Sequence, residues 1–302
     1  MKSLIVVKNI NIDKVTWAKT FIESADKYGL EVVEEFDADR PEMSRLYLGD
    51  TINKNKLFDR NTNKKNIFFL AASSVCPSDD ESREQIKIES ENLKWADLNL
   101  VVSSSERKKI TYLGKTVLDK TMLSGFPIDT MMIKSYFNKN KLKNSICFLG
   151  EDRHIKNIEF EARVCRYLTN HGFNCVHLSP REIINERLLA KSGCKLLANI
   201  SGRAYLRQLS KFKFFISTSF YESLCVSGIE AMLLGTIPIV PNHSGFVDWC
   251  PEKLRYCKND ITSIYSLIQE NMNRRIDDSK LSFYDYKNFF DRIIEKIDSI
   301  NK

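Results

Sequence analysis

The sequence is poor in the residues that mark fibrous, disordered and membrane-spanning proteins. Among 302 residues there are only 11 glycines and 7 prolines, which excludes collagen-like repeats and disordered chains rich in both. No stretch reaches about 18 consecutive apolar residues, the length that a transmembrane helix requires. The first apolar run, Leu4–Val7, is too short for the core of a signal peptide. These absences predict a soluble, globular, cytoplasmic protein.

Cysteines with metal-binding spacing are also missing. The chain has eight cysteines but no C-x-x-C motif, the spacing typical of zinc sites and redox centres. Most of them lie within apolar runs, as reduced thiols of a cytosolic core do. The sequence therefore predicts neither disulfides nor bound zinc. The eight are Cys76, Cys147, Cys165, Cys175, Cys194, Cys225, Cys250 and Cys257.

What the chain does contain is an alternation of apolar strands with amphipathic helices. It opens with a strand at Leu4–Val7 and a helix over Asp13–Tyr28, and later has a strand at Leu98–Val102. A basic helix is predicted over Glu106–Leu113 and a strand over Thr116–Leu123. Strands separated by helices predict parallel sheets with right-handed crossovers. With 43% hydrophobic residues, the chain suits two α/β domains of about 140 residues each.

The most informative segment joins two strands through a helix. A strand over Lys213–Ile216 precedes Glu222, and a helix over about Val226–Leu234 leads to a second strand at Thr236–Val240. The backbone N–H groups of residues 223–227 have no helical acceptor and lie at the positive end of the helix dipole. Groups of this kind bind phosphate. The segment therefore predicts an anion site at the start of the helix.

Two glutamates flank this predicted anion site. Glu222 precedes the helix and Glu230 lies in its second turn, so the two carboxylates can contact different parts of one long ligand. One of them can accept hydrogen bonds from vicinal hydroxyls such as a ribose edge. The whole string resembles the E-x7-E signature of retaining glycosyltransferases with the GT-B fold, family 4 in particular. Its matching residues are Ser219, Glu222, Glu230, Ala231, Met232, Gly235, Pro238 and Val240.

The resemblance implies a role for each glutamate. In that family the second glutamate binds the nucleotide ribose, while the first, with the amides after it, holds the donor sugar and the diphosphate. Those roles pass to Glu230 and to Glu222 respectively. The residues expected to bind the donor nucleotide are Glu230, Ser223, Leu224, Cys225, Val226 and Gly150.

A second motif lies upstream, after a predicted strand at Ser145–Leu149. In the family this strand-to-helix turn has the form G-R-x4-K-G or K-N, and its arginine and lysine neutralise the leaving diphosphate. Lys156 followed by Asn157 matches this form, whereas Arg153 lies three residues after Gly150 instead of one. The catalytic residues that the resemblance implies are Glu222, Lys156 and Arg153.

The resemblance also implies a mechanism without cofactor, metal or nucleophile. A sugar nucleotide, with UDP or GDP as the nucleotide, already carries its leaving group, so the enzyme supplies positive charge and places an acceptor hydroxyl. The expected reaction is front-face transfer with retention of configuration. Asp37-Ala38-Asp39 matches the D-x-D motif of the metal-dependent GT-A class, but it follows a strand in the wrong domain and is interpreted as a turn.

The expected architecture is two Rossmann-like domains facing a cleft. Residues 1–135 form the acceptor-side domain and residues 144–280 the nucleotide-sugar domain. Residues 281–302 form a helix that returns to the first domain. The Lys- and Asn-rich segment Met131–Lys143 is the predicted linker between the domains.

The first half departs from the family where acceptor and sugar meet. Many members have a glycine-rich loop after the first strand, but residues 7–11 contain no glycine, and a histidine common after a middle strand is absent from residues 71–75. The acceptor is therefore undefined by the motifs. Candidate acceptor contacts, with helix capping as the alternative, are Ser73, Ser74, Ser103 and Ser104.

The charge pattern leaves three kinds of acceptor open. The net charge is +7, and cations concentrate in one stretch of the first domain. The simplest interpretation is a solvated helix face; the others are an anionic membrane surface or lipid phosphate, and DNA. The compact chain resembles phage enzymes that glycosylate hydroxymethylated bases of DNA, which need a flipped base. The cations are Arg107, Lys108, Lys109, Lys115 and Lys120.

Two other functions remain as alternatives to transfer. One is a non-catalytic GT-B module that binds nucleotide sugars or another subunit, and the other is a sugar-nucleotide epimerase of the same architecture. Because Glu222, Glu230 and Lys156 are all present, a degenerate site is the less favoured interpretation.

Overall fold

A computed structural model describes residues 4–8, 16–34, 43–48, 65–71, 80–150, 153–257 and 259–300. The chain forms two compact units. The first comprises Met1–Asp129 together with Phe283–Lys302, and the second comprises Thr130–Ser282. The D-x-D string at residues 37–39, the loop after the first strand, and the candidates Ser73 and Ser74 lie outside the described residues.

The first unit contains a six-stranded sheet in which every neighbouring pair is parallel. The strand order is β2-β1-β3-β4-β5-β6. Most of its strand residues are buried, as expected for a parallel sheet covered on both faces. The strands are β1 Leu4–Lys8, β2 Glu31–Glu34, β3 Ser44–Leu48, β4 Asn66–Leu70, β5 Leu98–Val101 and β6 Thr121–Leu123.

Helices connect these strands. The first of them places Phe21 against the sheet, 4.7 Å from the Phe69 ring, and its Ala18 and Ala25 are also buried. This spacing of three to four residues is what turns one face of a helix to a core. The helices are α1 Thr16–Tyr28, α2 Asp80–Trp95, α3 Ser104–Lys109 and α4 Lys115–Asp119, and a 3₁₀ turn spans Ile110–Leu113.

The second unit contains another parallel sheet of six strands. Its order is β12-β11-β10-β7-β8-β9. Strands β7 and β10 are therefore central neighbours, although 64 residues lie between the end of β7 and the start of β10. The strands are β7 Ser145–Leu149, β8 Asn174–Leu178, β9 Lys195–Leu197, β10 Phe214–Ile216, β11 Ile237–Pro241 and β12 Arg255–Tyr256.

Seven helices accompany this second sheet among the described residues. They are α5 Thr130–Lys134, α6 Ile158–Asn170, α7 Glu186–Lys191, α8 Gly202–Leu209, α9 Val226–Leu233, α10 Phe246–Trp249 and α11 Ile261–Asn271. Short 3₁₀ turns span His154–Lys156, Glu252–Leu254 and Ser279–Tyr284.

The last helix, α12 (Tyr286–Ile300), belongs to the first unit. Its Phe289 and Phe290 rings both lie 5.7 Å from the Phe21 ring in edge-on geometry, an arrangement favoured by the ring quadrupoles. The Arg292 guanidinium donates to the carbonyl oxygens of Ser124 and Phe283 at 3.0 and 2.8 Å. No helix in the described ranges combines the length and apolar character needed to span a bilayer.

Two segments differ from the sequence prediction. Residues 115–119 are helical, and only Thr121–Leu123 of the predicted strand pairs with β5. The predicted linker contains helix α5, and the Lys141 ammonium donates to the carbonyls of Ser210 and Leu234, both at 2.7 Å. Its Lys- and Asn-rich composition suggested solvent exposure, but these contacts fix the segment to the second unit.

Candidate functional site

The predicted site lies where strands β7 and β10 end side by side. Since the two strands pair in parallel, the loops that follow them leave the sheet at the same edge, where ligands of α/β sheets bind. The Phe220 backbone N–H donates to the Ile155 carbonyl at 2.8 Å, and the Thr218 hydroxyl donates to the Lys156 carbonyl at 3.0 Å. These bonds hold the two loops together.

Lys156 and Glu222 form an ion pair across the two loops, through the ammonium and Oε1. The Ser219 hydroxyl donates to the same carboxylate oxygen at 2.8 Å. The Lys156 and Glu222 side chains are 16% and 15% exposed, so both keep access to solvent and to a ligand. Two residues that are 66 positions apart in sequence are thus brought together with opposite charges.

The absence of a side chain at Gly150 leaves room for the aliphatic part of Lys156. A Cβ atom at residue 150 would lie 3.3 Å from Cγ and Cδ of the lysine side chain, so the lysine stem runs along the glycine backbone. Arg153, in contrast, is exposed, and its carbonyl accepts the Lys156 backbone N–H at 2.8 Å. The described contacts of Arg153 therefore shape the 3₁₀ turn that carries Lys156.

The backbone before helix α9 presents donors. Within the described residues, the structure shows no protein acceptor for the N–H groups of residues 223–227. Cys225 has φ of 65°, the left-handed conformation that costs a residue with a side chain of order 1 kcal/mol or more. Strain of this kind concentrates at binding sites, and here it turns the chain into the helix.

The Cys225 thiol itself is not suited to nucleophilic attack. It is buried, and burial, assisted by the Glu222 charge, raises the pKa of the Cys225 thiol to about 12. A thiol with that pKa stays protonated at neutral pH, and the thiolate is the reactive form. Cys225 therefore contributes its backbone N–H and its packing.

Glu230 lies in a separate, less polar environment on helix α9. The Tyr205 hydroxyl of helix α8 donates to Glu230 Oε2 at 2.9 Å. Burial raises the pKa of Glu230 to about 7, and the hydrogen bond from Tyr205 acts in the opposite direction. The pKa of Tyr205 is raised well above its usual value by burial and by the Glu230 charge, so its hydroxyl remains a donor.

Sequence reasoning missed Tyr205 and two residues that support the loop after Glu222. The Gly245 N–H donates to the Glu222 carbonyl at 2.9 Å, and the Trp249 indole N–H donates to the Leu224 carbonyl at 2.6 Å. A Cβ atom at Gly245 would lie 2.1 Å from the Ser223 carbonyl oxygen. The only local sign of this close approach was the Ser-Gly turn at residues 244–245.

Gly245→Ala should therefore displace the anion-binding loop. The added methyl group meets backbone atoms that cannot move independently of residues 223 and 224, so we expect a loss of stability of about 1–3 kcal/mol. We also expect at least tenfold weaker binding of nucleoside diphosphate, measured by titration calorimetry alongside thermal unfolding.

Gly172→Ala is the matched control for Gly245→Ala. Gly172 has φ of 82° but nothing within 4 Å of an added Cβ, so its substitution costs backbone strain without touching the loop. It should lower the melting temperature and leave nucleotide affinity unchanged. Equal affinities for both variants would mean that residues 223–227 do not bind the nucleotide.

In the first unit, the candidate acceptor contacts are partly corrected. Ser103 is fully buried, and its hydroxyl accepts the Glu106 backbone N–H at 3.2 Å as the cap of helix α3. That role leaves it unsuited to acceptor contact, and Ser104 is the first residue of the same helix.

The predicted basic surface is smaller than its sequence suggested. The Lys120 ammonium donates to the carbonyls of Lys94 and Ala96, both at 2.5 Å, and so closes the end of helix α2. The Lys109 ammonium lies 3.6 Å from Glu106 Oε1. The exposed cations of the stretch are Arg107, Lys108 and Lys115.

Comparison with known proteins identifies the fold. No protein-family model matches the sequence, and no curated protein matches it closely enough to count as a relative. A glycosyltransferase from Rickettsia africae ESF-5 superposes with a TM-score of 0.70 at 11% identity, over 100% of this chain and 99% of that chain. The fold of this chain is GT-B.

Two further structures agree. A UDP-forming α,α-trehalose-phosphate synthase from Burkholderia xenovorans has a TM-score of 0.69 at 11% identity, with 100% of both chains covered. TarM has a TM-score of 0.62 at 16% identity, over 87% of this chain and 54% of its own length, so this chain spans about half of TarM. The α/β fold class and the two parallel sheets predicted from sequence are thereby confirmed.

Proposed function

We propose that this protein is a retaining glycosyltransferase that moves a sugar from a nucleotide sugar to an acceptor hydroxyl. The observation that carries the proposal is that Glu222, paired with Lys156, directly precedes the N–H groups of residues 223–227. These groups have no protein acceptor among the described residues and lie at the start of helix α9. A cation and helix-terminal amides together form a site for a diphosphate. The fold, shared with solved glycosyltransferases, supports this use of the site.

The proposed mechanism relies on charge and position. The donor diphosphate binds to the amides of residues 223–227 and to Lys156, and negative charge grows on it as the sugar departs. Glu222 orients Lys156 and contacts the donor sugar. The departing phosphate oxygen takes the proton of the acceptor hydroxyl on the same face of the sugar, which retains the anomeric configuration without a protein nucleophile.

Glu230 is assigned to the ribose of the donor. The Tyr205 hydroxyl donates to one oxygen of the Glu230 carboxylate, and the other oxygen is assigned to accept hydrogen bonds from the vicinal ribose hydroxyls. We propose UDP as the nucleotide, because one of the similar structures is a UDP-forming enzyme. GDP remains the alternative for a competition experiment.

The function is tested by incubating the protein with a panel of sugar nucleotides and measuring nucleoside diphosphate release and the anomeric configuration of the product. We expect release from one donor class, retention, and equal rates in excess chelator with and without added Mg²⁺. Binding without release would support the non-catalytic module, and release of no nucleotide with altered sugar stereochemistry would support an epimerase. A rate that requires Mg²⁺ would contradict metal independence.

A DNA acceptor is the second candidate, and the exposed cluster Arg107, Lys108 and Lys115 favours it. If DNA binds there, replacing all three by glutamine should reduce the slope of log affinity against log salt by about one unit per lost phosphate contact. Donor binding should not change. The measurement is fluorescence titration of duplex DNA at several salt concentrations.

The control replaces three exposed cations of the second unit, Arg187, Lys191 and Lys211, so that the net charge changes equally. If both triple variants lower the slope alike, the attraction is nonspecific. An unchanged slope in the first variant would remove DNA as an acceptor and leave an anionic lipid or a small sugar.

A further inference from the structure

A buried cluster of metal-ligating side chains lies between helix α6 and strand β8, beside the site already described. Glu161 and Cys165 are four residues apart on α6 and so share one face of the helix. Cys175 and His177 are two apart on β8 and so share one face of the sheet. Cys194 precedes strand β9. All five are at most 5% exposed.

Three ligand atoms of this cluster are already close together. One carboxylate oxygen of Glu161 and the sulfurs of Cys165 and Cys194 all lie within 4.8 Å of one another. Cys175 lies on the same face of strand β8 as His177, whose ring contacts Glu161. Tetrahedral zinc with Zn–S bonds of about 2.3 Å requires sulfurs about 3.8 Å apart, so the sulfurs of Cys165 and Cys194 need to approach by at most about 1 Å.

We propose that Cys165, Cys175, Cys194 and Glu161 bind a structural Zn²⁺ ion. Thiolates select soft or borderline metals, and closed sites of four protein ligands are typical of structural zinc. On binding, each of the three thiols loses its proton to solvent as its sulfur bonds the metal, with no change of oxidation state.

His177 is placed to support this site without binding the metal. Its Nδ1 lies 2.5 Å from Glu161 Oε1 and its Nε2 lies 3.1 Å from the Gly150 carbonyl. Both ring nitrogens of His177 thus face oxygen atoms. Its contact with Glu161 fixes the orientation of that carboxylate, as outer-shell partners of zinc ligands do.

The site would also anchor the loop that carries Lys156. Gly150, which His177 contacts, begins that loop, and helix α6, which carries two of the ligands, follows it directly. The proposal stands independently of the glycosyltransferase function, because zinc binding is measurable without turnover. It also revises the expectation from sequence that the cysteines are merely reduced core thiols.

The test is the metal content of the full chain, purified with reductant after expression in zinc-supplemented medium. We expect one zinc per chain by mass spectrometry, and replacement by Co²⁺ should give the thiolate-to-cobalt charge-transfer absorption of a tetrahedral site. Cys194→Ser should lower zinc affinity at least 100-fold, and His177→Asn by about 10- to 100-fold. Cys250→Ser, at a buried cysteine elsewhere in the unit, should retain one zinc.

The cobalt spectrum of the unsubstituted protein reports metal binding even if a variant fails to fold. A reduced, folded wild-type chain that takes up neither Zn²⁺ nor Co²⁺ at stoichiometric concentration would overturn it. So would a disulfide among these three cysteines in freshly purified protein, or equal zinc content in wild type and the folded Cys194→Ser variant.

Discussion

Lys156→Ala should reduce kcat by about 100- to 1,000-fold while weakening donor binding much less. The lysine ammonium is held by the Glu222 carboxylate at the end of β7 and β10, where the proposed diphosphate lies. Negative charge on the leaving group is larger in the transition state than in the bound donor. A fixed cation therefore stabilises the transition state more than it stabilises the bound donor. Single-turnover rates and donor titration separate the two effects.

The controls for Lys156→Ala distinguish catalysis from structure. Lys156→Arg keeps the charge and should recover part of the rate, and Lys191→Ala removes an exposed lysine from the same unit without effect. Glu222→Gln should be non-additive with Lys156→Ala, since the residues act as a pair. Equal losses in kcat and in donor affinity would make Lys156 a binding residue only.

Both members of this pair could be singled out from the sequence because each lies in a contiguous motif that resembles one of a known family. The order of strand, Glu222, helix and strand is encoded within about 30 residues, and each element follows from periodicity and turn residues. The Gly150–Lys156 loop is likewise contiguous. Parallel pairing of β7 with β10, which the sequence did not predict, joins the two motifs at one edge of the sheet, where ligands of α/β sheets bind.

The remaining contacts arise between distant segments and leave no local pattern. Tyr205, on helix α8, bonds Glu230 although the two residues are 25 positions apart in the sequence. The close approach of Gly245 to Ser223 likewise appears only in three dimensions. The spacing of Cys165 and Cys194 matches no short motif, although the fold brings their sulfurs to within 4.8 Å. Residues 116–119 of the predicted strand Thr116–Leu123 belong to helix α4, which begins after Gly114 with φ of 90°.

Glu230→Ala should weaken binding of the donor by roughly 2–3 kcal/mol, or about 30- to 150-fold, with the fold retained. The variant removes a charge-assisted acceptor for the ribose hydroxyls and leaves the Tyr205 hydroxyl without its observed partner. Titration with the nucleotide sugar gives the affinity, and circular dichroism checks folding. Unchanged affinity in a folded variant would contradict the assignment of Glu230 to the ribose.

The same carboxylate should make donor affinity depend on pH. Burial raises the pKa of Glu230 to about 7, so the carboxylate is mostly protonated at pH 6 and mostly ionised at pH 8. Because the ionised form is the better acceptor, affinity should rise by up to about tenfold across this interval and level off above it. A nucleotide sugar is the right probe, since its diphosphate, unlike the terminal phosphate of a free nucleoside diphosphate, does not titrate near neutral pH.

Two variants test whether Glu230 is the titrating group. Glu230→Gln cannot ionise and should give a flat affinity profile between pH 6 and 8. Tyr205→Phe removes the hydrogen bond that lowers the Glu230 pKa, so the midpoint of the rise should move to higher pH while the plateau is still reached. If the Glu230→Gln profile kept the wild-type rise, a different group would control the pH dependence and the ribose assignment would lose its support.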